Sequence, residues 1–121
     1  MSSGQLTNMT LEFAVQIVEL YKCLCTNKRE FVMSKQLLRS GTSIGANINE
    51  ANYAVSKLDF IAKLHIALKE ASETDYWLKL LNLTHFIEGD QYIVLYNKCR
   101  EIQKMLISSL NTAKQNLNDK K

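Results

Sequence analysis

The two histidines are the first residues to test for metal chemistry in this chain of 121 residues. A di-iron centre in a helical bundle takes Glu-x-x-His pairs that face the bundle axis. The residues three positions before His65 and His85 are Ala62 and Asn82, so neither histidine has the required carboxylate. The only carboxylate one helical turn from either of them is Glu88. We therefore expect neither a metal nor a cofactor.

The spacing of the candidate residues also gives no support for nucleophilic or phosphate-binding chemistry. Ser43 has no base at helical spacing. Gly41 and Gly45 lie four residues apart, but no Lys-Ser/Thr follows them as it would in a phosphate-binding loop. Cys23-x-Cys25 offers too few ligands for structural zinc and is not a redox C-x-x-C motif. We expect no catalytic residue, and three inert, buried or half-buried thiols: Cys23, Cys25 and Cys99.

The composition is typical of one all-α domain, spanning residues 1–121. Hydrophobic residues make up 46% and charged residues 22%, which are ordinary values for a folded domain. The chain has no proline and only four glycines, whereas all-β folds need such residues at their many turns. The odd number of cysteines, the absence of a leader-like start and the lack of a long apolar run predict a cytoplasmic protein with no membrane partner.

Hydrophobic periodicity predicts four helices, over residues 10–25, 28–53, 57–87 and 90–117. The short connections between them favour an up-down-up-down antiparallel four-helix bundle. The predicted core residues recur every three or four positions. They are Phe13, Ile17, Leu20 and Leu24; Leu37, Gly41, Ile44, Ile48, Ala51 and Val55; Leu58, Ile61, Leu64, Leu68, Ala71, Leu78 and Leu81; and Tyr92, Leu95, Cys99, Ile102, Leu106, Leu110, Ala113 and Leu117.

Residues that favour helix ends mark these boundaries. We predict that the last residues, from Asn118, fray. The predicted end residues are Thr10 as the first N-cap, Asn27 with Glu30 and Ser56 with Asp59 as capping boxes of the second and third helices, Gly89 as the stop of the third, and Asp90 as the cap of the fourth.

The second helix carries two glycines in its interior, and each costs about 1 kcal/mol relative to alanine. Because Gly41 and Gly45 are one turn apart, they leave a shallow groove where a second backbone can approach closely. The alternative is a helix break, with Ser40-Gly41-Thr42-Ser43 forming a loop. The hydrophobic repeat stays in phase across both glycines, which favours the continuous helix.

A polar stripe follows the same helix beside its apolar seam. Its residues share a band about 80° wide on a helical wheel, and Arg39 lies just beyond its edge. These short side chains are better suited to fixed hydrogen bonds than to a solvated surface. They form either a polar layer that sets the register between helices or subunits, or a site for a ligand or partner. The stripe consists of Gln36, Ser40, Ser43, Asn47 and Glu50.

The stripe is also where the chain resembles a known family. The pattern Gln36-Leu37-x-Arg39-x-x-x-Ser43-Ile44-x-Ala46-Asn47-Ile48-x-Glu50-Ala51 resembles the signature of the 23S ribosomal RNA intervening-sequence proteins, a bacterial four-helix-bundle family. Phe60, Ala71-Ser72-Glu73 and Trp77-Leu78 extend the similarity into the third helix, and it covers residues 13–110. The chain departs from the family pattern at two positions. Ala51 stands where many members have glycine, and Gly41 stands where many have alanine.

The resemblance implies a closed ring of five identical bundles with no established enzymatic activity. It also relates the chain to the accessory variability determinants of diversity-generating retroelements, pentamers that bind a reverse transcriptase and nucleic acid. The polar residues that match the family are Arg39, Ser43, Asn47, Glu50 and Glu73. We predict that Arg39 and Asn47 bond to Glu73 or to a neighbouring subunit, so that Gln36, Gly41, Gly45 and these five form a packing and assembly layer.

The fourth helix has a basic face that could meet phosphates. Arg100, Lys104 and Lys114 lie within about 80° of one another on the helical wheel. Three aligned bases would bind nucleic acid without sequence preference and in a salt-sensitive manner. However, Ile93 and Ile107 fall in the same band, which also fits a solvated face or a subunit contact.

The residues and the resemblance together favour a non-enzymatic homo-oligomer, expected to be a pentamer, that acts through protein–protein contacts. The alternative is an accessory protein that binds RNA or DNA, working with a reverse transcriptase or near ribosomal RNA. The net charge of +3 is compatible with weak nucleic-acid binding but well below that of a dedicated DNA-binding domain.

Overall fold

A computed structural model describes residues 3–119, with the side chains of residues 4–118, and it shows four α-helices. They are α1 (Ser3–Thr26), α2 (Met33–Ala51), α3 (Lys57–Leu83) and α4 (Gly89–Asp119). The described range contains no β-strand, so the predicted all-α bundle is confirmed. No helix within it combines the length and apolar character needed to cross a bilayer.

Each helix packs against its neighbours in the chain, and α1 also contacts α4, so the four helices close around one core. The contacts between α2 and α3 run in opposite directions along the two helices, since Arg39 pairs with Glu73 and Glu50 with Lys63. These two helices are therefore antiparallel. The same reversal relates α1 to α2, through Ile17–Gly41 and Thr7–Asn52, and α3 to α4, through Ala71–Cys99 and Lys79–Tyr96.

The core follows the predicted hydrophobic repeat along most of each helix. All four predicted residues of α1, the first five of α2 and the five from Leu95 to Leu110 in α4 are buried. The prediction is wrong at the connection between α2 and α3. Val55 is 93% exposed because α2 ends at Ala51 and Val55 lies in the connection that follows. Leu58 is 66% exposed in the first turn of α3, beside that connection.

The first helix begins earlier than its predicted cap. Thr10 is buried inside α1, and its hydroxyl donates to the backbone carbonyl of Leu6 at 2.9 Å. A threonine can satisfy its hydroxyl in this way within a helix, so its presence did not mark an end. Leu6 lies one turn earlier and is also buried, which extends the hydrophobic stripe of α1 towards Ser3.

The second helix begins later than predicted, and Glu30 rather than Asn27 satisfies its first N–H groups. The Asn27 side chain donates instead to Cys23 Sγ at the end of α1. Glu30 Oε1 accepts from the N–H of Ser34 at 2.7 Å, and Oε2 accepts from the N–H groups of Val32 and Met33 at 3.1 and 3.2 Å. Burial by itself would raise the pKa of Glu30, but these N–H donors outweigh it and lower that pKa below its ordinary value.

The third helix starts as predicted and stops earlier. Ser56 Oγ accepts from the N–H of Asp59 at 3.0 Å, and Asp59 Oδ2 accepts from the N–H of Val55 at 3.2 Å, so the predicted cap is confirmed. The helix ends at Leu83, and the left-handed residue that follows it is His85, with φ of 66°. Gly89, the predicted stop, is instead the first residue of α4.

The fourth helix begins at Gly89 and continues through Asp119. Asp90 lies in its first turn, where a negative charge interacts favourably with the helix dipole. Asn118 and Asp119 are helical, and the fraying expected from Asn118 stays a prediction. Lys120 and Lys121 lie outside the described residues.

Candidate functional site

Arg39 links α2 to α3 through two carboxylates. Its Nη1 lies 3.3 Å from Glu70 Oε1, and its Nη2 bonds to Glu73 Oε2. The indole N–H of Trp77 donates to the same Glu73 oxygen at 3.1 Å, and Gln36 Oε1 accepts from Arg39 Nε at 3.4 Å. We call these five residues the Arg39 cluster. The predicted bond between Arg39 and Glu73 is confirmed.

Two buried hydroxyls also join α2 to α3. Ser40 and Thr74 are fully buried, and their hydroxyl oxygens lie 3.0 Å apart. Each hydroxyl also lies within hydrogen-bond distance of a backbone carbonyl of its own helix. The Ser40 hydroxyl is 3.4 Å from the Leu37 oxygen, and the Thr74 hydroxyl is 2.8 Å from the Glu70 oxygen. Sequence reasoning missed Thr74, although it fills the gap between Ala71 and Leu78 in the helical repeat of α3.

The other residues of the polar stripe do not join the Arg39 cluster. Asn47 Nδ2 donates to the backbone carbonyl of Ser43 at 2.8 Å, within its own helix. Its predicted bond to Glu73 in the same chain is therefore wrong, because Glu73 of α3 lies beside Arg39, about two helical turns before Asn47 in α2. Glu50 pairs with Lys63 of α3 at 3.1 Å. The structure thus divides the stripe among four separate sets of contacts: Gln36 with Arg39, Ser40 with Thr74, Asn47 with Ser43, and Glu50 with Lys63.

The two glycines of α2 lie within one uninterrupted helix and face α1. A Cβ atom on Gly41 would lie 2.9 Å from Ile17 Cγ2, and one on Gly45 would lie 3.3 Å from the backbone carbonyl oxygen of Thr10. The continuous helix is therefore confirmed, and the alternative of a loop at Gly41 is wrong. The missing side chains allow α1 of the same chain to approach closely.

The predicted basic face is present on α4. Arg100, Lys104 and Lys114 are all exposed. Arg100 Nε donates to the Tyr96 hydroxyl at 3.0 Å, and its guanidinium carbon lies 5.2 Å from the centre of the Tyr96 ring. Lys79 of α3 approaches the same ring, with Nζ 5.7 Å from its centre. The basic face therefore extends towards α3, which the sequence did not indicate.

The residues considered for chemistry are distributed over the bundle. His65 is exposed on α3, and His85 Nδ1 lies 2.7 Å from Glu88 Oε1 in an exposed pair. Within residues 3–119, no three His, Cys, Asp or Glu side chains are grouped so that they could hold a metal ion. Cys23 and Cys25 are half-buried, and Cys99 is buried.

Cys99 combines low reactivity with a structural contact. Burial raises the pKa of its thiol to about 12, and its Sγ donates to the backbone carbonyl of Ala71 at 3.3 Å. A thiol with so high a pKa is almost entirely protonated at neutral pH and is a weak nucleophile. The side chain therefore serves the packing of α4 on α3.

The arrangement as a whole serves to hold helices together. In the Arg39 cluster, one oxygen of Glu73 accepts bonds from both Arg39 and Trp77, and Arg39 also reaches Glu70. These groups satisfy one another across the α2–α3 boundary. Arg39 and Glu73 of the sequence signature are thus positioned to fix the register of two helices.

Comparison with known proteins identifies what this bundle is similar to. The family model described as "23S rRNA-intervening sequence protein" matches residues 4–108. A crystal structure of a protein of unknown function from the S23 ribosomal protein family of Bacteroides thetaiotaomicron VPI-5482 shares 57% sequence identity, with a TM-score of 0.90. The match covers 92% of this chain and 99% of that one. No curated protein matches the sequence significantly.

Proposed function

The chain belongs to the 23S rRNA-intervening sequence protein family, and from this premise we propose that it acts as a non-enzymatic homo-oligomer, through protein–protein contacts. The family resemblance suggests a ring of five copies. The polar residues of α2 favour a structural role, since the Arg39 cluster bonds internally and Asn47 bonds to its own helix. What favours self-association is the distribution of exposed apolar side chains.

The first apolar surface lies on α1 beside α2. Leu11 is 63% exposed and Val15 52% exposed, although both are large aliphatic residues. Leu11 borders a depression of about 230 Å³ whose lining includes the small residues Ala14, Gly45 and Ala46. We call this region the α1–α2 surface. Its shape and chemistry suit the packing of aliphatic side chains from a second helix.

A second apolar surface lies on α4. Ile93 is 51% exposed and Ile107 47% exposed, and both share the helix face of Arg100, which lies beside α3. The two apolar surfaces are therefore on different sides of the bundle. Two different surfaces that pair between copies make a head-to-tail contact, and such contacts close into rings when the rotation permits. This separation of the surfaces is the observation that carries the proposal.

The mass of the protein in solution tests the proposal. We expect light scattering to give a whole-number multiple of the 13.9 kDa mass of one chain, namely five times that mass. Charged residues on the α1–α2 surface, introduced by Leu11→Lys with Val15→Lys, should reduce the mass to that of one chain while preserving the helical circular dichroism. Ala62→Lys adds a charge at an exposed site on α3 and serves as the control. A monomeric wild-type protein, or a double variant that assembles normally, would contradict the proposal.

A second candidate function is that of an accessory protein which binds RNA or DNA, alongside a reverse transcriptase or near ribosomal RNA. The observation that favours it is the position of Arg100 and Lys79, which bring two cations to one tyrosine ring beside the exposed Lys104. Cations meet phosphates, and an aromatic ring can stack on an unpaired base. Against it, Ile93 and Ile107 expose apolar surface in the middle of this face.

Salt dependence distinguishes the two functions. If the face binds nucleic acid, retention of single-stranded RNA should be strong at low salt, weak at high salt, and reduced by Lys104→Glu with Lys114→Glu. Lys35→Glu, at an exposed site of α2, makes one such charge reversal elsewhere and should leave binding intact. No retention at low salt would eliminate this second candidate and leave the assembly proposal unaffected.

A further inference from the structure

One end of the bundle contains a chamber of about 150 Å³, which we call the end chamber. It lies where the N-terminal turns of α1 and α3 meet the C-terminal turns of α2 and α4. Its walls carry six apolar side chains and four uncharged polar ones. The apolar residues are Leu6, Ile48, Ala51, Phe60, Leu64 and Ala113, and the polar residues are Asn52, Ser109, Thr112 and Asn116.

The chamber exists because two core positions hold alanine at the same level of the bundle. Ala51 continues the buried seam of α2 after Ile44 and Ile48, and Ala113 continues the seam of α4 after Leu106 and Leu110. At the preceding levels, large aliphatic side chains from these helices fill the space between them. The chamber is therefore encoded by residue size at two positions.

We propose that the end chamber is a binding site for a small, uncharged and mainly apolar molecule of about the size of a single aromatic ring. The end chamber is partly open and lined mainly by apolar side chains, and a space of about 150 Å³ is large enough to take up benzene or xenon. No residue that lines the chamber is ionisable. A charged ligand would lose part of its hydration there without gaining a counter-charge from the lining residues, which disfavours charged molecules.

The structure also provides a way in. A wider cleft of about 460 Å³ adjoins the chamber and shares Ala51, Phe60, Ala113 and Asn116 with it. It opens between the α2–α3 connection and the last turns of α4, where Val55 is almost fully exposed. Phe60 is half-buried at the boundary between the cleft and the chamber. A ligand can therefore reach the apolar walls without separation of the helices.

Titration of the full-length protein with benzene tests the site. In a ¹H–¹⁵N correlation spectrum, we expect saturable shifts of the amide resonances of Ala51, Leu64 and Ala113, together with a rise in melting temperature. Ala113→Leu places a larger side chain in the chamber. The larger side chain should remove apolar contacts of benzene equivalent to burying two methylene groups. The Kd for benzene should therefore rise at least about tenfold. Ala62→Leu makes the same change at an exposed position and should bind as the wild type does.

The possible results separate clearly. Shifts confined to the chamber and lost in Ala113→Leu support the site. An absence of saturable shifts in the wild-type protein, shifts centred elsewhere, or full binding by Ala113→Leu would overturn it. So would a side chain from a second copy found filling the chamber in a crystal of the assembly. If Ala113→Leu fails to fold, Ala51→Val narrows the chamber from the opposite side, and xenon density in wild-type crystals locates the site independently.

Discussion

Replacing Glu30 with glutamine should destabilise the protein by about 1.5 kcal/mol at neutral pH, through the start of α2. Glutamine keeps the length of the side chain and one acceptor oxygen but loses the charge and the second acceptor. Two of the three backbone N–H bonds use Glu30 Oε2, to Val32 and Met33. Hydrogen bonds to charged groups contribute about 1.5–3 kcal/mol, and loss of a helix cap costs about 0.5–2 kcal/mol. Because Val32 is exposed, water can replace part of the loss.

The loss should depend on pH in a defined direction. The pKa of Glu30 is lower in the folded chain than its ordinary value. Its carboxylate therefore adds stability that is complete above the unfolded pKa, about 4.3, and is lost as the pH falls through the folded pKa. The difference between wild type and Glu30→Gln should be full at neutral pH and shrink towards zero in acid, where the protonated wild-type side chain resembles glutamine.

Urea unfolding followed by circular dichroism at pH 7, 5 and 3 provides the measurement, at matched protein concentrations. A loss of about 1.5 kcal/mol corresponds to a melting temperature lower by about 6 °C for a domain of this size. Glu101→Gln removes the same charge from an exposed position on α4 and should change stability little. A Glu30→Gln protein as stable as wild type at pH 7, or equally impaired at pH 3, would refute the reasoning.

Three further substitutions or measurements test other contacts. Gly45→Leu should cost about 1–2 kcal/mol, measured by thermal unfolding, because a Cβ there would lie 3.3 Å from the backbone carbonyl oxygen of Thr10 and α1 would have to shift, which outweighs the gain of about 1 kcal/mol in helix propensity; unchanged stability would contradict the close packing of α1 on α2. Asn47→Leu breaks no bond between helices, so it should leave the stability of the single chain unchanged. An altered elution volume would then show that Asn47 lies at a subunit contact. An unchanged elution volume together with unchanged stability would exclude such a contact. A thiol reagent at pH 8 should modify at most two cysteines in the native protein and three after denaturation, since Cys99 is buried with a pKa of about 12; labelling of Cys99 at the rate of a free thiol would contradict this.

The buried faces of the helices could be predicted from the sequence because helical periodicity is a local property. Ile17, Ile48 and Leu106 occupy the core where their spacing placed them. The capping box of Ser56 and Asp59 was equally predictable, since both residues act within one turn of chain. The bond between Arg39 and Glu73 was predicted from the resemblance rather than from spacing, because it joins residues 34 positions apart.

Other features depended on contacts that no local pattern contains. Asn27 and Glu30 have capping-box spacing, but the path of the chain after α1 gives the capping role to Glu30 alone and leaves Asn27 bonded to Cys23. Gly41 and Gly45 indicated a close approach by some helix, and only the fold shows that this helix is α1 of the same chain.

By itself, then, the sequence determined the number of helices, the face that each one buries and the stretch of α2 where another helix approaches closely. The tertiary structure decided which groups meet. Hydrophobic burial depends on residue type at each position and leaves a periodic trace along the chain. Hydrogen bonds and cavities depend on distances of a few ångströms between segments remote in sequence, and these distances exist only once all four helices have packed.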